Sequence, residues 1–108
     1  MANTDTVINI LNSAAREGAS DVFFVKGMPL SFKIDGEIKV RNKVLDDKDT
    51  ESLVRGLYEL ADKRDFQILV DKWDDDFAFA IGRGLRFRVN TFRQRGAYCA
   101  ILRVLMTN

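Results

Sequence analysis

The stretch Arg86-Phe87-Arg88-Val89-Asn90-Thr91-Phe92-Arg93-Gln94-Arg95-Gly96 alternates between charged or polar residues and apolar ones. This alternation has the period of a β-strand with one buried face. Its odd-numbered residues, such as Phe87, fall on one face, and Arg86 and Arg88 fall on the other. Residues 97–105 then form an apolar return strand. The sequence therefore predicts a hairpin with an apolar core face and an outer face that carries arginines.

The charge of Arg103 limits the register of this hairpin. A loop with an odd number of residues would turn Arg103 into the core, and an unpaired buried charge is strongly unfavourable. We therefore expect a loop with an even number of residues. The expected pairs across the hairpin are Phe92 with Ala97, Arg88 with Ile101 and Arg86 with Arg103. The core face of the return strand then collects Tyr98, Ala100, Leu102 and Val104.

This register places three arginines on the outer face, namely Arg86, Arg88 and Arg103. Like charges that face each other across a ladder repel, and an anion between them relieves that repulsion. The planar guanidinium group matches phosphate oxygens better than a lysine does, so a contact with a polyphosphate is one hypothesis. Residue types alone favour the alternative, a solvated face whose arginines pair with acids elsewhere in the chain.

The charge of the chain is unevenly distributed. The chain has 108 residues, of which 46% are hydrophobic, and this is enough for one domain with one core. The net charge is +1, but the segment from Gly82 onward contains six arginines and no acid, which leaves −5 for the first 81 residues. Because domains that bind nucleic acid are usually basic overall, the charge argues against that class.

Composition also limits catalysis and metal binding. The chain has no His, so it lacks the commonest general base and metal ligand. Its single Cys99 excludes an internal disulfide, and we expect it on the arginine face as a small, half-buried residue rather than a nucleophile. The acidic run at 71–76 lacks the Gly and distal Glu of a calcium loop. We therefore expect a solvated start of a strand there, and no metal site.

Turn and capping signals divide the rest of the chain into helices and strands. Asp35-Gly36 lies between two extended runs and indicates a type I′ hairpin, and apolar residues at helical spacing follow Asp46 and Asp47. The order predicts an α+β fold with a mostly antiparallel sheet of five or six strands and about three helices that cover one face. The elements expected before the hairpin at 86–105 are a helix that Thr4 or Asp5 caps and Gly18 terminates, strands at 21–25, 30–34 and 37–40, a helix after Asp46 or Asp47, a third helix from Asp62 and a strand at 77–81.

Several short motifs in a fixed order resemble the N-terminal domain of the secretion ATPase superfamily. The resemblance covers about residues 7–105, and the nearest branch is similar to the PilT-type twitching-motility ATPases, which retract type IV pili. Type II secretion and pilus-extension ATPases are related to them. The motifs are Gly18-Ala19-Ser20-Asp21, Gly27-x-Pro29, Lys33-x-Asp35-Gly36, Asp76-Phe77, and the strand at 86–96 with Arg103 after it. The departures are Phe23 for a usual His, Leu30 for a second Pro and Lys33 for Arg.

The resemblance implies that residues 1–108 form a single PAS-like N-terminal domain without the RecA-like catalytic domain, which carries the Walker A loop. This chain would then not be an enzyme and would bind no cofactor alone, whereas the full-length parent would be an ATPase that binds ATP and Mg²⁺. The implied partners are the RecA-like domain of the same chain, other subunits of a homo-hexamer and inner-membrane platform proteins, but no nucleic acid. The implied location is cytoplasmic, with the parent peripheral at the inner membrane.

The resemblance also suggests a role for the arginines. In the family, arginines of the N-terminal domain reach the phosphates of ATP when the two domains close. Arg88 and Arg103 match the motif best, and Arg86 and Arg95 are also in place. Their implied role is electrostatic, and no catalytic residue is assigned.

Two other functions are weighed against this one. A free-standing PAS-like module that binds a small ligand would need a pocket with polar groups, and the expected core is densely apolar. A module that binds single-stranded nucleic acid could combine the arginines with Phe92 and Tyr98. Tyr98, however, is expected on the core face, away from the arginines.

Overall fold

The computed structural model describes residues 3–106 and shows three helices and six strands. This order of helix, three strands, two helices and three strands confirms the predicted α+β fold. The elements are α1 (Asn3–Arg16), β1 (Ala19–Phe24), β2 (Pro29–Ile34), β3 (Glu37–Val44), α2 (Asp47–Leu60), α3 (Gln67–Lys72), β4 (Asp74–Ile81), β5 (Leu85–Gln94) and β6 (Ala97–Met106). Within the described range, no helix is long and apolar enough to cross a bilayer.

Both long helices carry a buried apolar stripe, and α2 also has a side-chain cap at its start. Helix α1 begins at Asn3, so Thr4 and Asp5, the predicted caps, lie inside its first turn. The side chain of Asp46 accepts a hydrogen bond from the backbone N–H of Asp49, and the Asp49 side chain accepts one from the N–H of Asp46. This reciprocal capping box fixes the start of α2, as predicted. Gly18 follows α1 with a φ of 76°, a conformation that favours glycine after a helix. The buried stripes are Val7, Leu11 and Ala14 on α1, and Leu53, Val54, Leu57 and Tyr58 on α2.

All six strands pair antiparallel in one sheet, in the order β3-β2-β1-β6-β5-β4. Helices α1 and α2 pack on the central strands β1 and β6, and the main apolar core lies between the helices and the sheet. None of the three helices lies on the other face of the sheet. The fold therefore has one covered face and one outer face, as the alternating patterns predict.

The β5–β6 hairpin has the predicted faces but a different register. Arg88 faces Arg103 and Phe92 faces Cys99, so the three predicted cross-strand pairs, Phe92 with Ala97, Arg88 with Ile101 and Arg86 with Arg103, are wrong by two residues. The cause is a shorter loop. Arg95 and Gly96 alone form the turn, with φ of 50° and 79°, as a two-residue type I′ turn requires. A shift of two residues preserves which face each side chain occupies.

The third helix begins five residues later than predicted. Asp62, the predicted start, and Lys63 have φ of 61° and 57°, so they form a left-handed turn that no helix can include. The helix α3 runs from Gln67 to Lys72 and buries Leu69. It ends at Trp73, whose φ is 69°.

The acidic run contains a buried carboxylate, so the prediction of a wholly solvated strand start is wrong. Asp75 points to the covered face, where Arg64 donates two hydrogen bonds to it at 2.9 and 2.8 Å, and the Tyr58 hydroxyl donates one at 2.8 Å. The Tyr58 oxygen also lies 2.8 Å from the Thr91 hydroxyl. These contacts tie α2 and the loop after it to β4 and β5.

The partners of Asp75 control its protonation. The Arg64 guanidinium and the Tyr58 hydroxyl lower the pKa of the Asp75 carboxyl, against the opposing effect of burial. Burial is also the main reason that the pKa of Tyr58 is raised. Because the folded-state pKa of Asp75 lies below its unfolded value of about 3.9, its contribution to stability is present above about pH 4 and is lost as the pH falls through the folded pKa.

We expect Asp75→Asn to lower the free energy of unfolding by about 2 kcal/mol at pH 7, because Arg64 loses its charged partner. As the pH falls from about 5 to about 2, the range in which the Asp75 carboxyl becomes protonated, the variant should also lose less stability than the wild type. Urea titrations across this range measure both effects. Asp74→Asn, one residue away and exposed, is the control, and equal stability of the two variants would contradict the assigned role.

Candidate phosphate-binding face

The arginines on the outer face are brought together by strand pairing. On this face Arg88 lies directly opposite Arg103, and Arg86 lies opposite Leu105. Arg86 and Arg88 are two residues apart on β5 and point to the same side. All three are exposed. The structure therefore gathers Arg86, Arg88 and Arg103 into one group, which we call the arginine cluster.

One member of the cluster has a carboxylate nearby. The Nε atom of Arg103 lies 3.5 Å from Asp21 Oδ1, while the side chain of Arg103 remains 68% exposed. Asp21 is itself buried on β1 and accepts a 2.7 Å hydrogen bond from Ser20. Arg103 is thus partly neutralised but still open to a ligand. Within residues 3–106, Arg86 and Arg88 form no ion pair.

A shallow depression of about 550 Å³ runs along the cluster. Arg88 and Arg103 line it together with two carboxylates, Asp21 and Asp76, and with Asn90, which donates a 3.1 Å hydrogen bond to Asp76. Of these acids, Asp21 lies 3.5 Å from Arg103 Nε, and among residues 3–106 Asp76 forms no ion pair with Arg88. The depression therefore presents guanidinium groups to an anion while limiting the net positive charge around them.

Arg95 does not join the cluster. It lies in the β5–β6 turn, seven residues from Arg88, which corresponds to about 23 Å along an extended strand. A single phosphate chain that contacts Arg88 and Arg103 does not reach Arg95. Its assignment as a phosphate contact stays a prediction, and it would require a different part of a ligand or partner.

Cys99 is fully buried instead of half-buried. It lies on the outer face as predicted, but Val25 and Ala97 cover it, with Met28 and Phe92 packed around them. The turn between β1 and β2 thus folds over one end of the outer face and forms a second, small apolar cluster. This leaves the arginine cluster at the open end of the same face.

The two aromatic residues proposed for base stacking lie on opposite faces. Phe92 is on the outer face beside Cys99, and Tyr98 packs edge-on against Phe66 on the covered face, with ring centroids 5.0 Å apart. This confirms the predicted placement of Tyr98. A stacking platform needs aromatic rings beside its basic groups, and these two rings do not form one.

Sequence reasoning missed the acids that accompany the arginines. In the sequence, Asp21 stands out only as part of a motif, and Asp76 only as part of an acidic run. The signal was present in the pattern, because Asp21 and Asp76 fall on the outward-facing positions of β1 and β4. It could be used only after the strand order placed β1 beside β6 and β4 beside β5.

The fold and the cluster define an α+β domain with a helix-covered face and a basic outer face. Comparisons with known proteins extend this description. The chain is 28% identical over 100 residues to the type IV pilus retraction ATPase PilT of Pseudomonas aeruginosa, and 33% identical over 101 residues to the type IV pilus ATPase PilU of that organism, in each case over 92% of this chain. No protein-family profile matches.

Solved structures show the same relationship. A crystal structure of the pilus retraction motor PilT with bound ADP superposes on 94% of this chain with a TM-score of 0.78 and 31% identity. The ATPase DotB of Legionella pneumophila shares the fold over 97% of the chain, with a TM-score of 0.74 and 22% identity. This chain spans only 28% and 25% of the curated relatives and 29% and 30% of the two solved chains.

These similarities confirm the predicted resemblance to the N-terminal domain of the pilus retraction and type II secretion ATPases. The chain is similar to one domain-sized part of each of these proteins.

We expect Asp21→Asn to raise the affinity of the chain for inorganic tripolyphosphate by about threefold or more at low salt. The reason is the loss of one negative charge within roughly 6 Å of the anion, which corresponds to about 0.7 kcal/mol in water. Isothermal titration calorimetry at two salt concentrations measures the affinity. Asp62→Asn, which removes an exposed charge in the turn after α2, should have no effect. Equal affinities of all three proteins would argue against an anion site at the cluster.

Proposed function

We propose that this chain is the non-catalytic N-terminal domain of a hexameric motor ATPase of the type IV pilus or type II secretion class, and that its arginine cluster senses the phosphates of ATP. The similarity to PilT, PilU and DotB supports the class of motor. The ADP bound in the PilT crystal structure supports a nucleotide as the ligand of the full-length protein. The partners of the domain would be a RecA-like domain, neighbouring subunits and an inner-membrane platform.

The observation that carries the proposal is the direct opposition of Arg88 and Arg103 on the outer face of the sheet. Two guanidinium groups across a ladder repel each other, so this arrangement costs stability unless an anion or acid lies between them. Asp21 neutralises Arg103 only in part, at 3.5 Å. A triphosphate chain presents several oxygens to both planar forks at once, which suits the pair better than a single carboxylate does.

The proposed role is electrostatic. Negative charge concentrates on the terminal phosphate during phosphoryl transfer, and positioned arginines stabilise it. Loss of that phosphate after hydrolysis would weaken the attraction between the cluster and the nucleotide, so the domain could rotate away. Arg88 and Arg103 would make the main contacts, with Arg86 beside them and Arg95 at a separate position.

Hydrolysis itself would depend on the remainder of the motor. The chain has no His and no Walker A spacing, so it offers neither a general base of the usual kind nor a phosphate-binding loop. We therefore propose that the arginine cluster binds the phosphates and signals their state, and that it takes no part in breaking the phosphate bond. A Walker A loop encoded within about fifty codons after Asn108, given ordinary linker lengths, would support this division, and a stop codon there would oppose it.

In the full-length motor, Arg88→Ala and Arg103→Ala should each lower the rate of ATP hydrolysis by about tenfold or more, because a charge-assisted contact to the phosphates is lost. A coupled enzyme assay measures the rate, and circular dichroism checks that the fold is intact. Arg83→Ala removes an exposed arginine from the Gly82–Gly84 turn, outside the cluster, and should leave the rate near wild type.

The pattern of the variants decides the proposal. Full activity of both Arg88→Ala and Arg103→Ala, in proteins that remain folded and hexameric, would remove the assigned role. A loss of activity that appears only because the hexamer dissociates, as measured by light scattering, would also contradict it. Arg95→Ala tests the isolated position at the β5–β6 turn, and a smaller effect than that of Arg88→Ala is expected.

A further inference from the structure

We propose that the free edge of β4 pairs with the same edge of a second copy of this chain, so that two sheets join antiparallel into one. This inference goes beyond the proposed function and does not require it. It rests on the difference between the two edges of the sheet, on the order of charged and small residues along β4, and on the space beside that strand.

The two edges of the sheet are protected to different degrees. The edge strand β3 carries the exposed charges Glu37, Lys39 and Lys43, and its pairing with β2 is interrupted by a register shift near Pro29. Edge charges and irregularities of this kind prevent a sheet from pairing with other chains. The charges and the register shift therefore protect the β3 edge, although Ile38, Val40 and Val44 on the same strand are exposed.

The edge strand β4 lacks this protection along its second half. Its pairing with β5 is regular over all eight residues, without a bulge. The segment at 77–81 reads Phe-Ala-Phe-Ala-Ile, without charge or proline. Among residues 3–106, no segment pairs with the outward edge of β4. A regular, uncharged and open edge is a template for another strand.

The outward-facing side chains of β4 are self-complementary. From one end to the other they are Asp74, Asp76, Ala78 and Ala80. An antiparallel copy that is centred on Phe77 places Asp76 opposite the partner's Ala78, and Asp74 opposite the partner's Ala80. Each acid therefore meets a methyl group instead of another acid, and the same is true in the reverse direction because the pairing is two-fold symmetric.

The next strand provides the charge that these acids need. Ala78 is paired with Arg88, and Ala80 is paired with Arg86. In the joined sheet, each row on the outer face would read acid, alanine, arginine across the junction. An alanine leaves the space above it open, so that a long arginine side chain can extend over it toward the acid of the other copy. Two such rows from each copy would bring acids and arginines together across the junction.

Room for the second strand exists on the covered side as well. A groove of about 300 Å³ separates the end of α2 and the turn after it from β4, and Leu60, Ala61, Asp62, Ala78, Phe79 and Ala80 line it. The groove lies along the free edge. It can receive the inward-facing side chains of the incoming strand, so the helices do not prevent the approach.

Sedimentation equilibrium tests the dimer. A range of chain concentrations from about 1 µM to about 500 µM covers the dissociation constants of weak dimers. We expect concentration-dependent dimerisation in the wild type. Ala78→Glu should raise the dissociation constant by about tenfold, because it places like charges opposite each other twice per dimer. Ala78→Lys, of matched size, faces the partner's Asp76 and should not weaken the dimer. Val40→Glu on the other edge strand is the control.

A disulfide cross-link tests the register. A mixture of Asp76→Cys and Ala78→Cys should form a covalent heterodimer on oxidation, because directly opposite residues lie about 5 Å apart at their Cα atoms. Each variant alone should cross-link poorly, since its two copies would be diagonal neighbours. The native Cys99 is fully buried and does not compete. Products are identified by mass spectrometry after non-reducing electrophoresis.

Each possible outcome supports or overturns the proposal. A wild-type chain that stays monomeric at about 500 µM, the upper end of the weak range, would overturn it, as would equal weakening by Ala78→Glu and Val40→Glu. Cross-linking of Ala78→Cys with itself but not with Asp76→Cys would overturn the proposed register. Weakening by Ala78→Glu but not by Ala78→Lys, together with a cross-link in the mixture alone, would support both the surface and its charge pattern.

Discussion

The row of buried side chains across the centre of the sheet is the constraint on which the rest depends. Val22, Leu102 and Val89 lie opposite one another on β1, β6 and β5, and all three are fully buried. The next row faces the other way and contains Asp21, Arg103 and Arg88. A slip of one residue would exchange these rows and bury two arginines, which is strongly unfavourable. Burial of the apolar row therefore also places the arginine cluster on the outer face.

Alternation along single strands made the faces of most side chains predictable from the sequence. Features that depend on two separated segments, such as the strand register and the contacts of Asp75, could not be predicted. The outward direction of Arg86, Arg88 and Arg103, the Asp35-Gly36 turn and the cap at Asp46 follow from local patterns. The hairpin register required the length of the turn, and two turn lengths of the same parity give the same faces. The contact of Asp75 with Tyr58 and Arg64 joins residues that are 17 and 11 positions apart, and no local signal distinguishes it from solvated acids nearby.

Both faces of the sheet carry acids from the first 81 residues. On the covered face, Arg64 and Tyr58 donate hydrogen bonds to Asp75. These contacts stabilise the fold at pH values above the pKa of the Asp75 carboxyl. On the outer face, Asp21 and Asp76 are close enough to moderate the arginines but do not saturate them. The acids thus keep the unliganded cluster compatible with a stable sheet, and they leave donor groups free for a ligand with more negative charge than a carboxylate.

The two proposals draw on the same guanidinium groups, those of Arg86 and Arg88, and therefore compete for them. Arg86 and Arg88 lie on β5, between β6 and the edge strand β4. Their side chains can turn toward Arg103 on β6 and a phosphate chain, or across Ala80 and Ala78 of β4 toward the acids of a second copy. A ligand that binds one of these states shifts the population away from the other by its difference in affinity. A nucleotide bound at the cluster would then oppose pairing of the β4 edges, and loss of its terminal phosphate would favour it.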